Sequence, residues 1–408
     1  MTAKRTIFHV DVNSAFLSWT SAENLKNGTG PDLRKIPAVI GGDRDKRHGI
    51  VLAKSDAAKK AGIQTAMTIG EAYALCPDLT AASPDHRLYR MYSRRLMNFL
   101  KMLTPAVEQA SIDEAYLDFT GKHDIEVEPV RSAVEIKDEI KRRFGFTVNI
   151  GISENKVLAK MASDFQKPDR VHTLWRSEIK SRMWPLPVSD LFMAGRASVR
   201  RLKSFGIETI GDLAASDPTL IEHRLKSHGR MLWEFANGID DSPVRVERDE
   251  PKCIGNSTTL PADVTDAAEA DKVLKALCSR VSGRLERAGY QSGNICVEIK
   301  YSDFTKVSRQ QMMPSLVSSA DIIFRESSSI FRELWNGSPV RLIGVRASKL
   351  VKCGEPVQLT IEDLTKPEYQ KENILESTIN EIRKRYGGDS VKRAADIDHV
   401  REENGRIR

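Results

Sequence analysis

Two adjacent acids inside a segment that otherwise reads as strand are the first place where this chain could do chemistry. Ala110-Ser111-Ile112-Asp113-Glu114-Ala115-Tyr116-Leu117-Asp118-Phe119 carries them, with Leu117 and Phe119 alternating with Tyr116 and Asp118. Val107 to Ala110 is available as the partner strand. Neighbours on a regular strand point to opposite faces, so Asp113 and Glu114 reach one site only from a hairpin turn or a bulge, irregularities common beside active sites. Two unpaired carboxylates repel one another, and a divalent cation removes that cost. For a bare Asp-Glu pair the plain alternative is a solvated turn. A third carboxylate, Asp11, lies near the end of the apolar run Thr6 to Val12, just before Asn13 and Ser14, either of which can cap a following helix. The end of a strand beside a helix N-terminus is where open sheets hold ligands. The competing role for Asp11 is to help cap that helix.

The wider strings decide between these readings. Ser111 to Asp118 resembles the catalytic hairpin of the Y-family (translesion) DNA polymerases, and Phe8-His9-Val10-Asp11-Val12-Asn13-Ser14-Ala15-Phe16 resembles the first strand that supplies its partner Asp. A third match, Gly151-Ile152-Ser153-Glu154-Asn155-Lys156-Val157-Leu158-Ala159-Lys160, follows in order. The resemblance runs from about Ile7 to about Lys352 and is strongest to the bacterial DNA polymerase IV branch. It implies an α/β (α+β) fold shaped as a right hand: a ferredoxin-like palm (1–27 and 77–172), small fingers (28–76) and a helix-hairpin-helix thumb (173–240). A linker (241–252), an α/β little finger (253–352) and a charged tail (353–408) complete it.

It also implies a function: template-directed addition of deoxynucleotides to a primer 3′-end, of low fidelity and suited to lesion bypass, by two-metal nucleotidyl transfer. Asp11, Asp113 and Glu114 are then catalytic, and with the Val12 carbonyl they hold two Mg²⁺, for which Mn²⁺ is a possible substitute. Phe16, five residues after Asp11, takes the place of the steric gate that excludes a 2′-hydroxyl by shape; without the resemblance it reads as a core aromatic. Lys59 and Lys160 fall to the triphosphate, and Gly195, Gly206 and Arg346 to DNA. The partners are primer–template DNA and deoxynucleoside triphosphates, acting on a monomer.

Three departures from the family pattern stand out. Ala53, Asp56 and Lys59 replace a frequent Thr, Tyr and Arg, so Asp56 repels a triphosphate unless it turns away, pairing with Lys59 or Lys60. Met193 replaces the first hairpin glycine of the thumb. Gln358-Leu359-Thr360-Ile361-Glu362 resembles a sliding-clamp peptide that has lost its terminal aromatic, with a plain linker as the alternative.

The elements that must position these residues follow from periodicity. Helices are expected at Ser55 to Ala61, Ile69 to Leu75, Tyr89 to Leu103 and Val130 to Phe144, with strands at Ala38 to Ile40, Ile50 to Ala53 and Phe146 to Ile152. The order β-α-β-β-α-β is ferredoxin-like, an order many unrelated proteins share. Ser153 is expected to start a helix with the stripe Val157, Leu158, Met161, Ala162 and Phe165. Lys156 and Lys160, one turn apart on its rim, read as solvated on spacing alone; the resemblance moves Lys160 toward the triphosphate and leaves Lys156 open. Asp240 to Lys252 reads as a tether. In the last module helices are expected at Ala267 to Ala288 and Ala320 to Leu334, and strands near Ile295 to Tyr301, Lys306 to Met312 and Leu342 to Val351. There Ile343, Val345 and Ala347 face inward while Arg346 and Ser348 face out, toward a phosphate backbone or simply solvent. One more helix is expected at Leu375 to Tyr386.

Bulk properties bound the rest. A chain of 408 residues, 40% hydrophobic and 29% charged, is globular and long enough for two to four domains. The net charge of +7 favours a polyanionic partner. Five scattered cysteines without a Cys-x-x-Cys pair argue against zinc and fit reduced thiols. No apolar run approaches 18 residues, so a cytoplasmic protein with no membrane span or signal peptide is expected. No Ser-His-Asp, Cys-His or Gly-x-x-x-x-Gly-Lys-Ser/Thr arrangement competes. The rivals are a catalytically weak or inactive DNA-binding repair accessory on the same scaffold and a nucleotide cyclase, which would have no use for the thumb hairpins or the basic last module.

Overall fold

A computed structural model describes residues 5–42, 49–247 and 249–355, with isolated positions between 375 and 391. It divides into two compact units, Met1–Arg248 and Asp249–Arg408. The clamp-like segment at Gln358 lies outside the described residues, and the helix expected at Leu375 to Tyr386 is seen only at the described positions within it, such as Leu375, Ile382 and Tyr386. Among the described residues no helix is long and apolar enough to cross a membrane.

In the first unit β1 (Ile7–Val12) leads into α1 (Ala15–Asn27), followed by β2 (Ala38–Gly41), β3 (Val51–Lys54), α2 (Asp56–Lys60), α3 (Ile69–Leu75) and β4 (Thr80–Ala82). Then come α4 (His86–Leu103), β5 (Val107–Gln109), β6 (Glu114–Asp118), α5 (His123–Val127), α6 (Pro129–Phe144), β7 (Val148–Ser153), α7 (Lys156–Asp164) and β8 (Val171–Thr173). Helices α8 (Arg196–Lys203), α9 (Ile210–Ala215) and α10 (Pro218–Ala236) complete it. The main sheet has the order β5-β6-β1-β7-β8, and β1 runs antiparallel to both β6 and β7. Its first four strands therefore take the expected ferredoxin-like order. The short strands β4 and β8, each parallel to its neighbour, carry no periodicity that sequence could register.

Alternation along β1 divides the molecule at the sheet. Phe8, Val10 and Val12 enter a core shared with α1, α4 and α6. Ile7, His9 and Asp11 face the other way, toward α7, which lies on β1 and β7. Each fully buried large apolar side chain contributes about 1.5–3 kcal/mol, so the core face fixes the register and the polar face follows. A second cluster joins α7 to α8, α9 and α10 through Leu158, Leu202, Leu213 and Leu232.

Three local expectations are corrected. Ser153 ends β7 instead of starting a helix: it is buried and donates to the Leu174 carbonyl at 2.5 Å, while Asn155 caps α7 by accepting from Leu158 N at 2.9 Å. Neither Asn13 nor Ser14 caps α1 with its side chain, because Asn13 bonds Asn149 and Asp169 and Ser14 is left-handed at φ 46°. The start of the expected tether is anchored to this unit. Val244 packs on Ile7, Tyr116 and Ala159, and Arg245 N donates to Glu108 at 2.7 Å.

The second unit is an antiparallel sheet, β11-β10-β12-β9, with two helices on one face: β9 (Cys253–Val264), α11 (Ala267–Ala288), β10 (Tyr290–Tyr301), β11 (Lys306–Val317), α12 (Ala320–Leu334) and β12 (Val340–Lys352). Both helices coincide with their expected bounds, whereas β9 had no sequence assignment. Ile343, Val345 and Ala347 are buried against the helices and Arg346 is exposed on the other face.

Candidate active site

The turn between β5 and β6 is built by one hydroxyl. Ser111 Oγ accepts from the backbone N–H of Asp113 and Glu114, at 3.2 and 3.1 Å, and donates to Asp113 Oδ1 at 2.5 Å. Val12 N donates to the Asp113 carbonyl at 3.1 Å, which brings the turn to the end of β1. Across the ladder Asp11 sits opposite Glu114, and His9 opposite Tyr116. Directly opposed residues share a face of the sheet. Asp11 and Glu114 thus share the α7 face, while Asp113 belongs to the turn just before β6.

Helix α7 comes close over this face because β7 has Gly151 there. A Cβ on Gly151 would lie 2.0 Å from the Ala159 carbonyl oxygen. The close approach closes a polar network. Lys160 Nζ donates to Glu114 Oε1 at 2.7 Å, His9 Nε2 lies 3.8 Å from Glu114 Oε2, and His9 Nδ1 meets Ser163 Oγ at 2.8 Å. His9 and Lys160 together hold the Glu114 carboxyl well below the usual carboxylate range. Burial lowers His9, keeping the imidazole neutral. Lys160 is only 8% exposed, so it is a buried network member and not a solvated rim. Lys156 is likewise engaged: both Glu108 oxygens accept from it at 2.8 Å, and it lies over the Tyr116 ring.

Beside this network opens a cavity of about 460 Å³. Its wall is made by Asp11 to Phe16, Leu52 to Asp56, Lys59, Thr65, Asp113, Lys167 and Pro168. Of the residues expected from sequence, Asp11, Val12, Asp113, Phe16 and Lys59 meet here; Glu114 and Lys160 stand behind the wall, bonded to each other. Phe16 stacks on Tyr89 with ring centroids 4.3 Å apart and 7° between planes, which fixes its orientation. Since no side chain caps α1, its first-turn N–H groups remain available beside the cavity. Asp56 is exposed and forms no ion pair with Lys59 or Lys60 among the described residues.

Lys167 is a wall residue that sequence reading missed. It forms an ion pair with Asp11 and another with Asp164 at 2.8 Å. Burial drives the Asp11 carboxyl up to about 6 against the pull of Lys167 and Lys160. Burial pulls Lys167 down, but Asp11 and Asp164 outweigh it and hold the ammonium at about 12. The only sequence signal was a Lys-Pro pair just past the third matching string.

Gly195 stands at the N-terminus of α8 and Gly206, at φ 77°, just past its end. Met193 adopts φ 68°, a left-handed backbone that favours glycine. In the second unit Arg346 lies beside Cys296, with Nη2 3.6 Å from Sγ, on the wall of a shallow depression shared with Glu298.

Among the described residues no three His, Cys, Asp or Glu side chains gather into a ready metal cluster. The donor chemistry nevertheless suits Mg²⁺, which takes one or two carboxylates and completes its shell from substrate phosphates and water. Asp11, a carboxylate 6% exposed on a cavity wall with Asp113, is such a donor.

The chain has relatives among known proteins. Residues 10–164 match the model of the impB/mucB/samB family, and residues 251–361 that of the impB/mucB/samB family C-terminal domain. The chain is 47% identical over 391 residues to a DNA polymerase IV of Clostridium acetobutylicum, covering 96% of this chain and 98% of the relative. It is 36% identical over 398 residues to one of Alkaliphilus oremlandii, covering 95% and 98%. It is 33% identical over 394 residues to DNA polymerase IV 1 of Bacillus subtilis, covering 96% and 93%. A solved Y-family DNA polymerase chimera of Dbh and Dpo4 shares the fold with a TM-score of 0.74 at 24% identity, over 85% of this chain and 99% of the other.

Proposed function

From a chain that belongs to the impB/mucB/samB family of Y-family, DNA polymerase IV-like enzymes, and is therefore a DNA-directed DNA polymerase, we infer that nucleotidyl transfer takes place in the cavity beneath Asp11, Phe16 and Asp113. One observation carries this reading. The Val12 N to Asp113 carbonyl bond joins two distant motifs, so that both carboxylates and the Phe16 ring meet on one wall.

Mg²⁺ ions held by Asp11 and Asp113, with the Val12 carbonyl as a further oxygen donor and Glu114 as another once released from Lys160, would acidify the primer 3′-hydroxyl and neutralise the triphosphate and pyrophosphate, and Mn²⁺ suits the same donors. The protein's own part is positioning and charge. Lys167 is the counter-charge that a buried Asp11 requires, and it can pass that ammonium to an incoming phosphate. The uncapped N-terminus of α1 offers backbone N–H groups to the same anion. Phe16, locked by Tyr89, presents a flat ring where a 2′-hydroxyl would fall and excludes it by shape. Lys160 holds the Glu114 carboxylate ionised and oriented, and its contact with the incoming triphosphate, expected from sequence, stays part of this reading. Lys59, on the open wall, remains a phosphate contact.

In this reading the palm is the five-stranded sheet with α1, α4, α6 and α7, the fingers are β2, β3, α2 and α3, and the thumb is α8 to α10. Gly195 and Gly206 would serve DNA phosphates there, and Arg346 those met by the sheet of the second unit. Low-fidelity bypass synthesis is part of this reading on the strength of the family resemblance alone.

Magnesium-dependent primer extension tests the reading. Asp11→Ala and Asp113→Ala should each abolish incorporation while primer–template affinity, measured by anisotropy, stays near wild type. Near-normal extension by either variant refutes the site, and a wild-type chain that binds DNA without extending it supports the accessory role.

A further inference from the structure

The cavity wall carries three carboxylates, Asp11, Asp56 and Asp113, and three ammonium groups, Lys54, Lys59 and Lys167. Lys167 is engaged by Asp11 and Asp164. Among the described residues neither Lys54 nor Lys59 forms an ion pair with a carboxylate, so both ammonium groups are free to meet an anion in the cavity. They differ in how they are held. Lys59 is exposed on α2, a helix of five residues, and must lose side-chain freedom to hold a ligand.

Lys54 is half-buried at the end of β3, fixed by its ladder pairing with Val39. Its carbonyl accepts from Ser14 Oγ at 3.4 Å, tying it to the N-terminus of α1. Its ammonium donates to Thr65 Oγ1 at 3.5 Å, and Thr65 is on the same wall. An ammonium whose one partner is a hydroxyl is steered toward that wall but has its charge unmatched by an ion pair, and an anion completes it.

Building on the active-site reading above, we propose that Lys54, steered by Thr65, holds the triphosphate of the incoming nucleotide from the β3 side, beside the weaker contact of Lys59. It offsets the Asp56 carboxylate on the same wall. The position that other members of the family give to a phosphate-binding side chain is acidic here, and the cation enters from the preceding strand.

The test compares Lys54→Met, Lys54→Arg, Thr65→Val and Lys59→Met with wild type in steady-state insertion of a single deoxynucleotide. Inhibition by inorganic pyrophosphate is measured alongside, and primer–template affinity by anisotropy. Lys54→Met should raise the nucleotide KM about tenfold and weaken pyrophosphate inhibition to a similar degree, the effect of one charge-assisted contact. DNA affinity should change less than about twofold, because duplex affinity rests on other phosphate contacts. Lys54→Arg keeps the charge and should recover most of the loss, which a merely structural role would not predict. Thr65→Val should raise KM by a smaller factor, about two to three. Unchanged KM and pyrophosphate inhibition in Lys54→Met, or an effect carried wholly by Lys59→Met, overturns the assignment to Lys54 alone. Incorporation that survives Asp11→Ala overturns the site itself and this assignment with it.

Discussion

Replacing Gly151 with alanine should loosen the catalytic face without touching a charged group. The added methyl would sit 2.0 Å from the Ala159 carbonyl oxygen and 2.5 Å from Ser163 N, whereas ordinary contacts begin near 3.4 Å. Both obstacles are backbone atoms of α7, so no rotamer change relieves them, and the helix must retreat from β7 by roughly 1.4 Å. Overpacking of this kind costs about 1–3 kcal/mol. In a unit of this size 1 kcal/mol moves the melting midpoint by roughly 2–4 °C, so a cost near 3 kcal/mol would lower it by roughly 6–12 °C. Activity should fall further than stability alone explains, because α7 carries Lys160 to Glu114 and Ser163 to His9. Misplacement by about 1 Å can cost up to about a hundredfold in rate. Thermal melting and primer extension below the melting range measure the two effects. Gly70→Ala is the control: its Cβ meets nothing within 4 Å, and alanine suits α3. A Gly151→Ala protein that melts and extends like wild type would refute the close-packing argument and, with it, the role of α7 in holding Glu114.

Phe16→Ala should lower the ratio of kcat/KM for deoxy- over ribonucleotides by at least about tenfold, since the ring stacked on Tyr89 is what occupies the space; an unchanged ratio makes Phe16 a core residue only. Met193→Gly should be neutral to stabilising by up to about 1 kcal/mol, because a left-handed L-residue costs roughly 1–2 kcal/mol and glycine's extra entropy returns part of that. A fall in melting midpoint would contradict it. Burial pushes the Cys278 thiol up to about 12, so Cys278 should stay inert to a thiol reagent even at about pH 9 until the protein unfolds, while the exposed Cys253 and Cys353 serve as accessible controls. Mass-spectrometric mapping after brief exposure to a thiol reagent reads this directly, and native labelling of Cys278 at that pH would show that the second unit's core is open.

Much of this molecule was legible in local pattern. The apolar run Thr6 to Val12 reads as a buried strand, while alternation in Ile343 to Ala347 and helical spacing in Ala267 to Ala288 and Ala320 to Leu334 report burial on one face, and burial is what fixes strand register and helix orientation. The three matching strings placed Asp11 and Asp113 correctly at the end of a strand and at a hairpin turn, because those positions are set by neighbours within a few residues. What the sequence could not decide was which long side chains meet across the sheet. Lys160 sits at a position that spacing assigns to a solvated rim, yet Gly151 draws α7 so close that its ammonium is buried against Glu114. Asp113 and Glu114 are adjacent in the chain and part company in space, one on the cavity wall and the other in the network with His9 and Lys160. Lys167 reaches Asp11 across 156 positions of sequence, and Lys54 reaches Thr65 across 11. Periodicity measures the environment of a residue along its own element. The partner of a charge depends on the path of the whole chain, and only the tertiary fold supplies it.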